Sequence, residues 1–442
     1  MNDVKQKMCK VCETPYLLKF QVGYVSNNHF SFECPTCGVM LEGIINVDNK
    51  EAKFNWNFDN LVDYSGDILK SKEGYFMQLT SEFYENKISL LKDYTFGTPP
   101  PFIRNYCDYI QEMNGLASYL AEDIHRQVNH YKNLINLVLS NKDNVKYVFS
   151  EFEKLTNALN MMDEENFTND YKTNRYNILF MAITDSIKPL LELNAGKFQV
   201  NDIRENLYKM YENKVEFEKF KNSFQDSLPN FINLLTNAFY SSIKIIPEII
   251  PTIVSETYNH KDINVIKEQY GLNTANYKTL LQNYAENYEI LGKIMPLIAA
   301  IDNINTRKDI NKFAKDSNTR KNDPFVRATT SLKDFSKATV GMKIRYLKKI
   351  SSDVSRYNDL TVLNNRIRNA INHSSVDYDS IEQKLTFKDG EKITEKYLIE
   401  FAEENYVILY LQLYCLFIVC LFVHWQLSFQ KKIMLNNKRC FQ

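Results

Sequence analysis

The sequence predicts a mainly helical protein that begins with one small β unit. Glycine and proline are scarce among the 442 residues, at 12 and 11, so long stretches carry no turn-forming residue. Apolar residues recur at helical spacing from about residue 55 to residue 340. Residues 1–50 differ, because short alternating segments flank an Asn27-Asn28 turn and indicate strands. A chain of this length has room for two or three domains, which we place at residues 1–50, 51–229 and 230–432.

Two Cys-x-x-Cys pairs, separated by 21 residues, lie inside the N-terminal unit. Four thiolates at such a spacing complete a closed tetrahedral Zn²⁺ site. The candidate ligands are Cys9, Cys12, Cys34 and Cys37, and the stretch Cys34-Pro35-Thr36-Cys37-Gly38 resembles a zinc-ribbon knuckle. His29 is a further candidate between the pairs, but four cysteines already fill the site. A closed site leaves no position for a substrate, so the zinc is predicted to be structural and to fold a unit too small for its own core.

The charge balance excludes a global attraction to nucleic acid. Lys plus Arg number 54 and Asp plus Glu number 54, so any contact with RNA has to come from a local patch. The cysteines outside the two pairs are scattered, which favours a reducing compartment over a disulfide framework. The segment before Cys9 has no apolar core of the signal-peptide type. We therefore expect a cytoplasmic protein.

The segment best equipped for chemistry is Arg368-Asn369-Ala370-Ile371-Asn372-His373, at the end of an amphipathic helical pattern. An arginine can hold a phosphate, and a histidine can transfer a proton near neutral pH. Leu363, Ile367 and Ile371 recur at four-residue spacing and predict a buried stripe, and the residues from Ser374 onward are expected to end the helix. The plainer interpretation is a solvated arginine beside a helix-capping histidine, because about half a match to the bare spacing arises by chance.

This segment, together with Tyr378-Asp379 and a short hairpin around Asp389-Gly390, resembles the signature of HEPN-domain proteins. The resemblance covers roughly residues 230–432. It implies a helical C-terminal domain that acts as a dimer and cleaves RNA without a metal ion, often in toxin–antitoxin, abortive-infection or other antiviral systems. By match, Arg368, Asn369 and His373 would form the active site. Arg366 also satisfies the spacing, but an apolar residue follows it, so it ranks behind Arg368.

RNA carries its own nucleophile, the 2′-hydroxyl, and a base that takes its proton drives attack on the adjacent phosphate. The products are a cyclic 2′,3′-phosphate and a free 5′-hydroxyl. His373 is the candidate for proton transfer, Arg368 for stabilising charge on the pentavalent phosphate, and Asn369 for orienting either group. Five positions of an ideal helix rotate by about 140°, so either the helix ends between Arg368 and His373 or a second subunit completes the site. The resemblance favours a second subunit.

The segment Tyr406–Leu427 competes with this interpretation, because 22 residues without a charged side chain are long enough to cross a bilayer. A helix buried in a core or at a dimer interface is apolar all round as well, and we favour that prediction over membrane attachment. The predicted function is RNA cleavage in bacterial antiphage defence or toxin–antitoxin action, on a narrow target such as tRNA and under control of a regulatory partner or antitoxin. The alternatives are a non-catalytic RNA- or nucleotide-binding scaffold and a membrane-attached effector.

Overall fold

The computed structural model divides into two compact units, and each unit gathers separate stretches of the chain. The first unit comprises Met1–His125, Ser241–Glu286 and Asn364–Leu409, and the second comprises Arg126–Tyr240, Asn287–Leu363 and Tyr410–Gln442. This division interleaves the three consecutive domains expected from the sequence. The structure describes residues 2–48, 51, 53–93, 110–139, 145–155, 178, 182, 200–258, 263–314, 323–350 and 359–439.

Strands build the N-terminal part of the first unit. They are β1 (Asn2–Cys9), β2 (Pro15–Gln21), β3 (Asn27–Glu33), β4 (Met40–Asp48), β5 (Lys53–Phe58), β6 (Leu61–Asp63), β7 (Tyr75–Leu79), β8 (Glu85–Asn86) and β9 (Ser89–Leu90). One sheet has the order β6-β1-β2-β7-β9, in which β2 and β7 are parallel and the other neighbours antiparallel. The second sheet, β3-β4-β5, is antiparallel. Buried side chains of both sheets form one core, which includes Phe20, Phe30, Leu41 and Met77.

This β region extends well past residue 50, where the sequence analysis ended the zinc ribbon. In β5, Phe54, Trp56 and Phe58 alternate with polar residues and pack against the shared core. The intervening asparagines and the lack of β-branched residues weakened the strand pattern. The expectation of helix from residue 55 is therefore wrong for the strands up to Leu90. The N-terminal unit also has an apolar core of its own, which the sequence analysis did not expect.

Helices form most of the remaining described elements. The structure is mixed, 56% helical with several small sheets, which is compatible with the predicted mainly helical class at that coarse level. In chain order the helices are α1 (Ile68–Ser71), α2 (Ile110–Ser118), α3 (Ile124–Leu139), α4 (Val145–Leu155), α5 (Val200–Glu212), α6 (Lys214–Phe224), α7 (Leu228–Ile243), α8 (Ile246–Tyr258), α9 (Ile263–Ile266), α10 (Tyr277–Arg307), α11 (Pro324–Ala328), α12 (Leu332–Lys337), α13 (Val340–Ile350), α14 (Asn365–Asn372) and α15 (Leu398–Arg439). A π-helical turn, Tyr119–Asp123, joins α2 to α3. A short strand, β10 (Tyr270–Gly271), pairs with β8.

The second unit is organised locally around the buried side chain of Tyr346 on α13. Its ring lies 5.0 Å from the ring of Phe313 and 5.2 Å from that of Phe335. Its hydroxyl donates to Asn303 Oδ1 at 2.9 Å and accepts from Arg307 Nη2 at 3.0 Å. Because a buried phenol is costly without a partner, these bonds fix where the end of α10 meets α13.

A three-stranded antiparallel sheet follows the motif helix in the first unit. It consists of β11 (Val376–Asp379), β12 (Lys384–Asp389) and β13 (Lys392–Tyr397), in that order. Asp389 pairs with Lys392, so Gly390 and Glu391 form a two-residue turn. Gly390 has a φ of 62°, which glycine supplies at the first central position of a type II′ turn. The predicted hairpin is confirmed, and β11 adds a strand that the sequence analysis did not predict.

One helix in the described part of the chain is long and apolar enough to cross a membrane by length and composition. It is the Leu398–Phe422 part of α15, with a mean hydropathy of 2.0 and 94% of its most apolar window buried within the protein. Two of its amide side chains have buried partners: Asn405 Oδ1 accepts from Asn283 Nδ2 at 2.9 Å, and Gln412 donates to Asn287. A helix that pairs its amides within the protein fits a core position, whereas the side chains after Phe422 lie outside the described residues.

Candidate active site and metal centre

The motif helix α14 buries one face and exposes the other. Asn364 caps its N-terminus, because its side-chain oxygen accepts from the Arg366 N–H at 2.9 Å. The predicted apolar stripe is confirmed at Leu363 and Ile367, which are buried. Ala370 completes the buried face, whereas Ile371 is only half-buried. This packing turns the polar residues of the motif away from the core.

The helix ends at Asn372, and His373 is its C-cap residue with φ −94° and ψ 8°. Ser374 follows in the left-handed region with a φ of 53°. Its N–H donates to Ile371 O at 3.1 Å, and the next N–H, of Ser375, donates to Ala370 O at 2.8 Å. These two bonds define a Schellman motif. Of the two explanations left open by the sequence, the structure of one chain therefore shows a helix end between Arg368 and His373, with the His373 side chain exposed.

Replacing Ser374 by glycine is expected to raise the free energy of unfolding by about 0.5–1 kcal/mol, because glycine adopts a positive φ without steric cost. Ser375→Gly is the matched control, since that residue has no positive φ and should lose stability or stay neutral. Urea unfolding of the two variants measures the difference. A lower stability for Ser374→Gly than for the parent protein would contradict the left-handed cap.

Arg368 and Asn369 are half-buried and joined by a hydrogen bond from Arg368 Nη1 to Asn369 Oδ1 at 3.3 Å. Asn369 Nδ2 in turn faces the carboxylate of Asp389, with N···O distances of 3.4 and 3.5 Å. Arg366 is exposed, so the structure links Arg368 rather than Arg366 to the motif asparagine.

Sequence reasoning missed Asp389, although it noted the turn that contains this residue. Asp389 is half-buried at the end of β12, and it reaches Asn369 only because the sheet folds back onto α14. The available signal was an acidic residue beside a turn glycine, which by itself is typical of any hairpin.

The four predicted metal ligands come together at the turns of two hairpins, one from each N-terminal sheet. Cys9 is the last residue of β1 and Cys12 lies in the turn that follows, whereas Cys34 and Cys37 lie between β3 and β4. The two turns share one backbone pattern. In each, the carbonyl of the first cysteine accepts from the N–H four residues on, at 3.0 and 2.8 Å, and its own N–H donates to the carbonyl five residues on, at 3.0 and 2.9 Å.

The residue four positions after the first cysteine has a positive φ in both turns, 59° at Glu13 and 71° at Gly38. The pattern therefore brings two thiols of each pair to the same side of the turn. The second pair ends in glycine, which this conformation favours. The first turn reaches the same conformation with a glutamate at that position, so this turn does not require a glycine.

The sulfur positions fit a tetrahedral ion. The Sγ atoms of Cys9 and Cys37 are 3.8 Å apart, those of Cys12 and Cys34 are 3.6 Å apart, and all four lie within 4.8 Å of one another. Sulfurs bound at about 2.3 Å to a tetrahedral Zn²⁺ lie about 3.8 Å apart. The buried hydroxyl of Tyr16 donates to Cys34 Sγ at 2.9 Å, which is the kind of outer contact that holds a metal ligand in place.

The local hydrogen bonds also affect the thiols themselves. Burial opposes ionisation of Cys12, but hydrogen bonds with Thr14, Cys37 and Cys34 outweigh it and lower the pKa of Cys12 to about 6, whereas contacts with the other cysteines help to raise the pKa of Cys37 to about 12. A thiol that ionises near neutral pH is a ready metal ligand, because the thiolate is the binding form.

A polar cleft of about 410 Å³ lies elsewhere in the first unit, beside β3, β4 and the start of α8. Asn276 joins two of its carboxyl groups: its N–H donates to Glu248 Oε2 at 3.0 Å and its side-chain amide donates to Glu42. Burial raises the pKa of Glu248 to about 8, and the nearby Glu42 adds to the rise. No motif residue or metal-ligand cysteine lines this cleft, so its chemistry is separate from both sites.

No protein-family model matches this chain, and neither a curated protein nor a solved structure is significantly similar to it. The features of the chain that bear on function are therefore the motif, the four cysteines and their geometry.

Proposed function

We propose that this protein is a metal-independent endoribonuclease of the HEPN type, in which Arg368, Asn369 and His373 act on RNA. The observation that carries the proposal is the end of α14. A half-buried arginine is hydrogen-bonded to an asparagine, and one turn later an exposed histidine caps the same helix. The apolar side of the helix is buried, so these polar groups do not serve the core.

In the proposed reaction, His373 takes the proton of the ribose 2′-hydroxyl or supplies the proton to the departing 5′-oxygen, and water carries the other proton transfer. The 2′-oxygen forms a bond to phosphorus as the bond from phosphorus to the 5′-oxygen breaks. Arg368 stabilises the added negative charge on the phosphate oxygens, and Asn369 orients the guanidinium. A cyclic 2′,3′-phosphate and a free 5′-hydroxyl result, and DNA is not a substrate because it lacks the nucleophile.

The four cysteines would hold one structural Zn²⁺, which ties the β1–β2 hairpin to the β3–β4 hairpin. All four coordination positions are thiolates, so the metal has no open position for substrate. The sulfur spacing and the Tyr16 contact support this assignment.

The working assembly would be a cytoplasmic homodimer that acts in antiphage defence or toxin–antitoxin action. Zero net charge gives no long-range attraction to RNA, which favours a narrow target such as a tRNA loop and control by a regulatory partner or antitoxin. The burial of the apolar window within Leu398–Phe422 of α15 favours this soluble arrangement over membrane attachment.

Two labelled oligonucleotides of one sequence test the reaction. One is all-ribose, and the other carries a single 2′-deoxy residue at the position that is cleaved. In EDTA, the wild-type protein is expected to cut the first and spare the second, leaving a cyclic phosphate. Zinc content measured after the assay ensures that the metal centre stayed loaded. Equal cutting of both substrates contradicts the mechanism, and failure to cut any RNA favours the non-catalytic scaffold.

A further inference from the structure

The turn between β12 and β13 brings a carboxylate to the motif helix. Asp389 faces Asn369 Nδ2 through both of its oxygens, at 3.5 and 3.4 Å, and Asn369 Oδ1 accepts from Arg368 at 3.3 Å. The three side chains thus form one chain of hydrogen bonds that leads from the hairpin turn to the guanidinium.

We infer that Asp389 is a positioning residue of the proposed ribonuclease site, which fixes the Asn369 amide and through it the direction of the Arg368 guanidinium. The inference rests on the proposed function. It assigns a role to the hairpin that follows the motif, which the resemblance to HEPN proteins did not supply.

The two ends of the Asn369 amide differ in what they can bind. Asparagine offers an oxygen that accepts and an NH₂ that donates, and an ionised carboxylate only accepts. With Asp389 in place, the NH₂ end has to face the hairpin, so the oxygen is left to accept from Arg368. Without Asp389 the amide is free to rotate by half a turn and present its NH₂ group to the guanidinium, which has no acceptor.

Arg368 needs such a contact because of where it lies on the helix. Side chains at adjacent helical positions do not face each other, so Arg368 has to bend its long side chain along the helix to reach Asn369. A flexible side chain held this way gives up rotamer freedom. A fixed acceptor holds the guanidinium in one orientation. An arginine that binds a phosphate during catalysis has to be held in the correct orientation.

The fold holds the Asp389 carboxylate in register with the motif. The N–H of Lys388 donates to Ser375 O at 2.9 Å, two residues after His373. Leu385 and Phe387 of the same strand are fully buried, and the left-handed Gly390 closes the turn directly after Asp389. The turn and the chain that leaves His373 are therefore tied to each other by backbone.

The sheet also supplies a matched control. Asp377 lies on β11 next to the buried strand, but it is exposed and forms an ion pair with Lys388. Its strand neighbour Val376 pairs with buried Phe387, and successive residues of a strand point to opposite faces. Asp377 therefore points away from α14. The Asp377→Ala substitution removes the same charge as Asp389→Ala and leaves the contact with Asn369 in place.

The test compares Asp389→Ala, Asp389→Asn, Asp377→Ala and Asn369→Ala, with the double variant Asn369→Ala/Asp389→Ala, in full-length protein. Asp389→Ala is expected to lower kcat by about 10- to 100-fold through misplacement of the arginine, with KM changed little. Asp389→Asn keeps an acceptor oxygen but also offers an NH₂ group that permits the rotated amide, so it is expected to recover only part of the loss. Asp377→Ala is expected to match wild type. In the Asn369→Ala background, Asp389→Ala should have no further effect on kcat.

An Asp389→Ala variant with wild-type kcat overturns the inference. An Asp389→Ala substitution that lowers kcat by the same factor in wild-type protein and in the Asn369→Ala variant overturns it as well. Wild-type protein that cuts no RNA defeats the proposed function instead. In that case the contact between Asn369 and Asp389 is tested by the urea unfolding midpoints of the same variants, since substitutions of residues in contact have non-additive effects on stability. Additive midpoint shifts for Asn369→Ala and Asp389→Ala overturn the inference in that case as well.

Discussion

Replacing Cys34 by serine is expected to remove the bound zinc and to unfold the N-terminal sheets, with a loss on the order of 5 kcal/mol or more of stability. Cys34 is buried, its sulfur lies 3.6 Å from that of Cys12, and it accepts a hydrogen bond from Tyr16. Serine would leave three thiolates crowded without their ion. The metal would be lost from the point that joins the two hairpins. Zinc content per chain and urea unfolding measure the two effects.

Two further variants separate ligation from general damage. Cys415→Ala removes another buried thiol, which is outside the four-cysteine cluster, and should keep one zinc per chain. Tyr16→Phe removes only the hydroxyl that contacts Cys34 and should weaken zinc binding by about 10- to 100-fold, as outer contacts of metal ligands do. A Cys34→Ser protein that retains a full equivalent of zinc would show that the four cysteines are not the ligand set.

Features that depend on neighbouring residues were predictable from the sequence. The cysteine cluster follows from two local pairs, since each Cys-x-x-Cys turn presents its thiols whatever surrounds it. The end of the motif helix follows from the residues after His373, and the hairpin follows from its turn glycine. For each turn, helix end and hairpin the physical cause lies within about six residues of the feature, whereas the meeting of the two cysteine pairs follows from the demand of one metal ion for four ligands.

Features that depend on distant pairing were not predictable. β7 pairs in parallel with β2, and a parallel pair needs a long crossover that no local pattern specifies. The contact of Asp389 with Asn369 likewise requires β12 to fold back on α14. The sequence pattern of polar residues does not predict such a contact, because their periodicity carries no information on which distant helix they pack against.

His373→Ala is expected to lower the rate of RNA cleavage by about 10²–10⁴-fold, the usual contribution of a positioned proton-transfer group. The side chain is exposed at the C-cap, and the cap is closed by backbone bonds, so the melting temperature should hardly change. His29 is a second exposed histidine, on β3, and His29→Ala provides the matched control with wild-type activity. Equal rates for His373→Ala and wild type would remove this residue from the reaction.

A mixture of two inactive variants shows whether the site is shared between subunits. Within one chain the helix ends before His373, whose side chain is exposed. If Arg368 of one subunit works with the histidine of its partner, a heterodimer of Arg368→Ala and His373→Ala keeps one intact site. Free exchange makes half of the dimers mixed, so about a quarter of wild-type activity should return. If each site uses both residues of a single chain, every site in the mixture carries one defect and no activity returns. The mixing experiment therefore distinguishes a composite site from a self-contained one without any change in the RNA or the buffer.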